Sequence, residues 1–514
     1  MSILNPGRIR DARQEPDLAV ECDYAIVGSG AGGSIAAAVL AESGARVMMI
    51  EEGGNFTRRD FNMQEAWAYD NLYQDHGNRA TEDLSIVILQ GRAVGGGTTV
   101  NWTSSFRTPE RTLALWAERH GLPGLDAATL APHFAAIEAR LSIHEGNPDD
   151  VNANNRKLLE GASKLGWNPE LIRRSVKGCA RLGYCGMGCP LDAKQSAAVT
   201  YIPDALAAGA HLFTNARAKL IETDRGRAKG VVCDVASPTS PHPRRFVVYA
   251  RRGVLLAGGA INTPALLLRS KIVNASDAVG RRTFLHPTVP IVAFHDEPIE
   301  GFYGAPQSVA CHHFADRGDR VGYFLETAPV HPMLSAVAFS GFGAAHRHTM
   351  ERLAHAQATI ALLIDGHHDD AGVRVRADRD DRIRIDYPLT PALREAGVDA
   401  IKNMARLQLA AGAREVVTLH EDPLVIRSEA DLAQLDGAVF GPNRHTLFSA
   451  HQMGGAAMGN DRVTSVVDPQ GRHHELENLW VVDGSIFPTS LGVNPQLSIY
   501  AHARLFATAI AKHH

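Results

Sequence analysis

No run of eighteen or more consecutive apolar residues occurs in this 514-residue chain, so no membrane-spanning helix is expected. Cysteine is scarce. Six in the whole length cannot form the disulfide framework of a small secreted scaffold. Excess charge is also lacking: 52 basic and 56 acidic side chains leave a net −4. The two signs are interspersed, which argues against a nucleic-acid surface. The first 23 residues, MSILNPGRIRDARQEPDLAVECD, are polar and contain no apolar signal-peptide core, and a cytoplasmic location is the expectation. No internal repeat and no low-complexity tract is present, which excludes solenoids and compositionally disordered classes. What remains is a globular chain long enough for two or more domains.

Glycine, by contrast, is well placed. Residues 23–54 read DYAIVGSGAGGSIAAAVLAESGARVMMIEEGG. A short apolar strand (24–27) runs into Gly28, Gly30 and Gly33 in G-x-G-x-x-G spacing. An alanine-rich helix (34–43) and a second strand (46–50) follow, and Glu51 stands at that strand's end. Gly28 permits a tight turn, Gly30 lets a pyrophosphate approach the backbone, and Gly33 lets helix and strand pack closely. The helix N-terminus offers N–H groups to phosphate. Glu51 suits ribose hydroxyls. A glycine triplet alone could be a plain turn; the strand, helix and spaced acid make it a dinucleotide site.

The rest of the chain is read in order. Residues 1–22 are an arm, and 55–88 a loop-rich segment. GRAVGGGTTVNWTSSFR (91–107) can lie flat against a ring or phosphate, whereas a loop without a ligand need not be so glycine-rich. Residues 108–178 are mainly helical, with amphipathic stretches at 126–141 and 152–165. Cys179, Cys185 and Cys189 fall within eleven residues. They could hold an iron–sulfur cluster, or form a compact loop of reduced thiols with at most one disulfide. Strands are expected at 211–214, 218–222, 230–235, 245–249 and 253–257. A second glycine-to-helix crossover follows at 258–270. Strands at 289–295, 320–325, 359–365, 372–377 and 382–387 precede a long helix at 391–411 and a strand at 415–419. They suggest a separate antiparallel-sheet unit. The apolar residues of 332–355 are read as core, with a substrate channel as the alternative.

Five segments, in order, resemble the glucose–methanol–choline (GMC) oxidoreductase family of FAD enzymes: VGSGAGG with Glu51, GRAVGGGTTVN, AGGAINTPALLLRS, HQMGGAAMG and VVDGSIFPTSLGVNPQLSIYA. The resemblance implies an α/β fold with a Rossmann-like, discontinuous FAD-binding domain over 1–110, 190–285 and 440–514. A mainly helical cap with the Cys-rich loop spans 111–189, and an antiparallel-sheet substrate domain is inserted over 286–439. It implies that Gly28, Gly30, Gly33 and Glu51 bind the dinucleotide, and that the stretch from Gly95 through Gly97 and Thr98 to Asn101 lies along the flavin. Ala218 would meet adenine through its backbone, and Asp483 and Gly484 would hold the ribityl-phosphate part. His451 and Asn494 match the catalytic pair. Lys271 departs from the family's usual glycine after Ser270. GGGTTVN has no histidine for a covalent link, so non-covalent FAD is expected. CGMGCPLDAKQS is similar to the corresponding segment of long-chain alcohol oxidases and related bacterial members. Sugar and gluconate dehydrogenases carry a cluster-binding segment at a comparable place. No metal ligand is assigned.

The implied reaction is oxidation of an alcohol, expected to be hydrophobic, with His451 as base. An alcohol is about as weak an acid as bulk water, pKa roughly 15.7, and histidinium has a pKa of about 6.5. The gap of about nine units is ~12 kcal/mol. Proton transfer is therefore coupled to hydride departure, with Asn494 donating to the same oxygen. The acceptor is oxygen or another, unnamed group. Alternatives are a flavin dehydrogenase passing electrons to a quinone or protein acceptor, with or without an iron–sulfur cluster at Cys179, Cys185 and Cys189, a flavoprotein lyase, and a non-catalytic flavin binder. His286, His502, His473 and His474 are read as ordinary structural or surface residues.

Overall fold

The computed structural model describes residues 8–15, 19–237, 240–272, 274–368, 374–377 and 382–512. The first sheet forms around the glycine turn. Its strand Ala19–Val27 has Val47–Ile50 on one side and Arg244–Leu256 on the other, all parallel. His211–Thr214 and then Ile9–Asp11 extend the first edge, so the N-terminal arm contributes a strand. The other edge is an antiparallel pair, Arg227–Val235 and Arg217–Asp224. Leu479–Val481 returns from the C-terminal region to pair in parallel with Arg244–Leu256. Strands covered on both faces carry continuous apolar runs, as VMMI and YAIV do here.

Helix Ala31–Glu42 covers this sheet and packs against the last helix, Gln496–Ala511. Its alanines explain the close approach: Ala36, Ala37 and Ala41 are buried and add little bulk. The two strands expected at 245–249 and 253–257 are one, Arg244–Leu256, with a register shift between Ala250 and Gly253. A Cβ at Gly253 would lie 2.4 Å from the Trp480 ring, so the glycine admits the indole without breaking the strand.

The second sheet is antiparallel: Tyr323–Thr327, Ala356–Leu363, Thr288–Phe294, Glu415–Thr418 and Val425–Ile426. Side chains alternate between faces. Ile291, Ala293, Ala361 and Leu363 join the core beneath helix Pro391–Ala410, and Val292, Phe294, Ile360 and Leu362 join a second cluster. Two short strands come from outside residues 286–439. Phe448–Ser449 pairs with Thr288, and Val87–Ile88 pairs with Phe448–Ser449. The segment 111–189 also divides. Ala127–Arg140 lies against the last helix, and Ala153–Lys164 against Pro391–Ala410.

Several local expectations change. Residues 55–88 include a helix, Glu65–Leu72, whose 8 residues make too few turns to show a periodicity. The strand expected at 372–377 is described as Arg374–Ala377; residues 372 and 373 lie outside the described residues. The apolar residues of 332–355 are not all core. Two short helices, Pro332–Ala338 and Gly343–Glu351, leave Val337 79% and Phe342 90% exposed while burying Phe339. No described helix is long and apolar enough to cross a membrane.

Candidate active site

The two glycine turns meet. Gly96, at φ +53°, would place a Cβ 2.9 Å from the Gly30 Cα, so the turns touch backbone to backbone. Gly28, at φ +99°, and Gly33 are held by packing: their Cβ atoms would lie 2.2 Å from the Ala257 oxygen and 2.0 Å from the Gly28 oxygen. Gly30 and Gly97 face open space instead. The nearest atom to a Gly30 Cβ is 3.9 Å away, and Gly97 has none within 4 Å. Helix Ala31–Glu42 starts at Gly30 with no side-chain cap and no acid in its first turn. Ala31 and Gly32 line the cavity, so the helix end is left to a ligand anion.

Glu51 is buried at the same cavity. One carboxylate oxygen accepts from the Ser29 N–H (3.1 Å) and hydroxyl (2.6 Å), the other from the Gly53 N–H (2.9 Å). Burial pushes its pKa up, opposed by the Ser29 and Gly53 donors. Ser29 also accepts the Gly95 N–H at 3.1 Å and so ties Glu51 to the second glycine loop. Thr98 locks that loop by donating to the Gly95 carbonyl (2.6 Å) and accepting the Ala197 N–H (2.9 Å). Asn101 donates to Gln496, while its own oxygen is buried without a partner and the residue lines the cavity. Ala218, on Arg217–Asp224, lines the wall near Glu51.

Asp483 turns inward to the protein. One oxygen accepts the Gly259 N–H (2.8 Å) and the Thr263 hydroxyl (2.6 Å). The other accepts the Ser485 N–H (2.9 Å) and its hydroxyl. Its side chain thereby joins the second crossover helix, Gly259–Arg269, to the Gly484 turn, and places Gly259 and Gly484 at the cavity.

The cavity also reaches His451 and Asn494. The Asn494 amide nitrogen is 3.3 Å from His451 Nε2. Trp102, Ile360, Leu362 and Phe448 supply apolar wall at the second sheet. Burial pulls the His451 imidazolium pKa down to about 3, so the ring is neutral near pH 7.

Two residues here were missed in the sequence. Glu326, 0% exposed, stands behind Asn494, accepting from its amide (3.3 Å) and from Gln307 (2.8 Å). His286, read as ordinary, is also fully buried, and its Nδ1 is 3.3 Å from the Nδ1 of His451. His502 and His473 are buried outside the cavity, as structural residues. Cys179, Cys185 and Cys189 are free thiols, and among the described residues no group of His, Cys, Asp or Glu side chains is arranged to hold a metal ion.

The sequence profile of GMC oxidoreductases matches residues 69–288, and its C-terminal counterpart matches 369–503. An uncharacterised GMC-type oxidoreductase of Mycobacterium tuberculosis is 33% identical, over 94% of this chain and 74% of its own. The chain is a GMC oxidoreductase. A long-chain-alcohol oxidase of Arabidopsis thaliana is 29% identical over 95% of this chain and 68% of its own. Among solved structures, pyridoxine 4-oxidase from Mesorbium loti superposes with TM-score 0.71 at 20% identity, covering 96% of this chain and all of that one. Formate oxidase of Aspergillus oryzae gives 0.73 at 16%, covering 97% and 99%.

As a GMC oxidoreductase the protein is an FAD-dependent enzyme acting on a CH–OH group. The cradle fits that cofactor. The uncapped helix end and the open faces of Gly30 and Gly97 leave room for phosphates and a flat ring, and the orphaned Asn101 oxygen offers an acceptor.

Glu326 gives this GMC oxidoreductase a pH signature. Burial raises its carboxyl to about 8, with Asn494 and Gln307 opposing the shift. An unfolded glutamate ionises near 4.5. Between those values the unfolded chain has released a proton that the folded chain retains, so stability falls as pH rises, by about 1.4 kcal/mol per unit. Glu326→Gln lacks this dependence. The unfolding midpoint of Glu326→Gln minus that of the parent is expected to increase steadily from pH 5 to pH 8. Parallel curves would contradict the assignment.

Proposed function

We propose that this GMC oxidoreductase oxidises a long-chain or otherwise apolar alcohol to the aldehyde or ketone, with His451 taking the hydroxyl proton. The observation that carries the reading is the His451–Asn494 pair, 3.3 Å apart, in a cavity with an apolar wall of Trp102, Ile360, Leu362 and Phe448. The 29% identity to a long-chain-alcohol oxidase over nearly the whole chain supports the same substrate class.

Bound FAD supplies the hydride acceptor. Everything else falls to side chains of this chain. The alcohol oxygen would sit between His451 Nε2 and the Asn494 amide. The apolar wall would hold the chain of the alcohol and exclude water. Gly28, Gly30, Gly33 and Glu51 would hold the dinucleotide, and Gly95, Gly97, Thr98 and Asn101 would carry the flavin face. Ala218 would meet the adenine end, and Gly484, placed by Asp483, the ribityl-phosphate part.

The substrate class is tested with a homologous series of primary alcohols from ethanol to hexadecanol, measuring kcat/KM and aldehyde formed. Each methylene transferred from water contributes about 0.8 kcal/mol. A several-fold rise per carbon over part of the series is expected. A flat or falling series, or a preference for sugars, would remove the apolar reading.

A further inference from the structure

We infer that His286 is the positioning residue of the base: its Nδ1 fixes the ring of His451 and decides which nitrogen of His451 carries the proton. The inference rests on the reading of His451 as the proton acceptor.

The argument starts from the backbone. His286 has φ +43°, in the left-handed region that side chains other than glycine rarely adopt. A carboxylate clamps that strained turn. Asp365 accepts the N–H of Leu285 (2.8 Å) and of His286 (3.1 Å), and Tyr387 donates its hydroxyl to Asp365 (2.9 Å). Strain held this firmly in a buried segment marks a side chain whose direction matters. That direction is toward His451. The two Nδ1 atoms are 3.3 Å apart and the rings meet edge to face at 73°. The Phe324 ring packs against His286 at 78°.

The proton inventory follows. Two neutral rings facing through Nδ1 share one proton between those atoms. The Gly492 N–H donates to His286 Nε2 at 3.3 Å, so that nitrogen is an acceptor. The His286 proton then lies on Nδ1 and is donated to His451 Nδ1. The His451 proton is left on Nε2, where the Asn494 nitrogen cannot accept it; the Asn494 amide must therefore turn over in this resting arrangement, so that its oxygen, otherwise buried without a partner, accepts that proton. Resting His451 is thus a donor at Nε2. To accept an alcohol proton there it must carry its own on Nδ1, with His286 as acceptor and the Gly492 contact given up. Two protons reside on the pair in both arrangements. The alcohol proton adds the single positive charge, placed on His451.

Burial, and then the neighbouring His451 and His367, hold His286 well below its usual pKa, so the pair cannot carry two charges. The Arg111 guanidinium stands beside Gly492, the residue that bonds His286 Nε2. His367, itself pulled down to about 4 by burial, bonds the Ser490 carbonyl. Asp365 and Tyr387 lie behind the backbone, and Glu326 reaches His451 only through Asn494.

The test uses flavin-loaded enzyme labelled with [15N]histidine, the His451 signals being assigned by their loss in His451→Gln. The parent is expected to show His451 protonated on Nε2 and bare on Nδ1. A parent spectrum with Nδ1 protonated would overturn the inference, and this measurement needs no variant to fold. His286→Asn and His286→Asp then separate orientation from shape. Both are small side chains tolerant of the left-handed region, and they differ in charge. In His286→Asp a carboxylate faces His451 Nδ1. That should move the proton to Nδ1 and shift the acid limb of anaerobic flavin reduction upward by about one to three pH units relative to His286→Asn. Identical profiles and spectra in the two variants would mean a packing role only. If His451→Gln reduces its flavin as fast as the parent, the reading of His451 as base fails, while the tautomer measurement still stands or falls alone.

Discussion

Flavin reduction in His451→Ala is expected to be slower than in the parent by about 10²- to 10⁴-fold, the range of a lost general base. That corresponds to roughly 3–5 kcal/mol of barrier. The expectation follows from the neutrality of His451, held by burial, and from the weakness of an alcohol as an acid. Without the imidazole, hydride would have to leave a carbon whose oxygen keeps its proton. The loss should appear in the rate of anaerobic reduction at saturating substrate and leave flavin content unchanged, because the His451 side chain bonds only His286 and Asn494 among the described residues. Asn494→Ala should cost less. On this reading the amide would donate one hydrogen bond to an oxygen whose charge develops in the transition state, and removing such a donor costs about 10²- to 10³-fold. Stopped-flow bleaching of the flavin measures both. Equal rates in His451→Ala and parent would remove the base.

The second large effect separates two glycines of one turn. Gly32→Ala should fail to give stable folded protein, because its Cβ would lie 1.7 Å from the Val482 carbonyl oxygen and 2.8 Å from its carbon. Backbone cannot yield as a flexible side chain can. Gly30→Ala should fold, because its Cβ meets only the Gly96 Cα at 3.9 Å. Its methyl would occupy the face open to the cofactor. Gly30→Ala is therefore expected to keep the parent's apoprotein melting temperature while retaining flavin at least about tenfold more weakly, roughly 1.4 kcal/mol. Any Gly32→Ala protein that does fold should melt well below the parent, with and without flavin. Thermal unfolding with and without added FAD, together with flavin content, distinguishes the two. Identical behaviour of the variants would mean that Gly30 does not face a ligand.

These two glycines also show what the sequence could express. Gly28, Gly30 and Gly33 were legible because the turn, helix start and strand lie within a few residues, although the atom packed against Gly28 is the distant Ala257 oxygen. Gly32 was not. The atom that forbids its side chain is Val482, 450 positions away, brought in by the parallel pairing of Leu479–Val481 with Arg244–Leu256. The strands of both sheets were legible where apolar runs are long. The helix Glu65–Leu72 was hidden by its brevity. Phe342 was read as core on chemistry alone, yet its ring stands on the surface.

The active site follows the same division. His451 and Asn494 could be named from segments that carry a family resemblance. His286 sits in no such segment, and its contact to His451 spans 165 positions. Glu326 lies in YFLET, where a charged residue would ordinarily mark the solvent face of a strand. Here every residue of that strand is buried, and the carboxyl is kept by Gln307 and Asn494 rather than by water. Only the closed fold reveals either residue.

The central claim is that this cavity oxidises an apolar alcohol on a bound flavin. The most direct measurement is anaerobic mixing of the flavin-loaded protein with long-chain, aromatic and sugar alcohols while the flavin absorbance is followed. The account predicts rapid bleaching with long-chain alcohols, weak bleaching with sugars, and its near-disappearance in His451→Ala. Full flavin occupancy with no bleaching by any alcohol would contradict it.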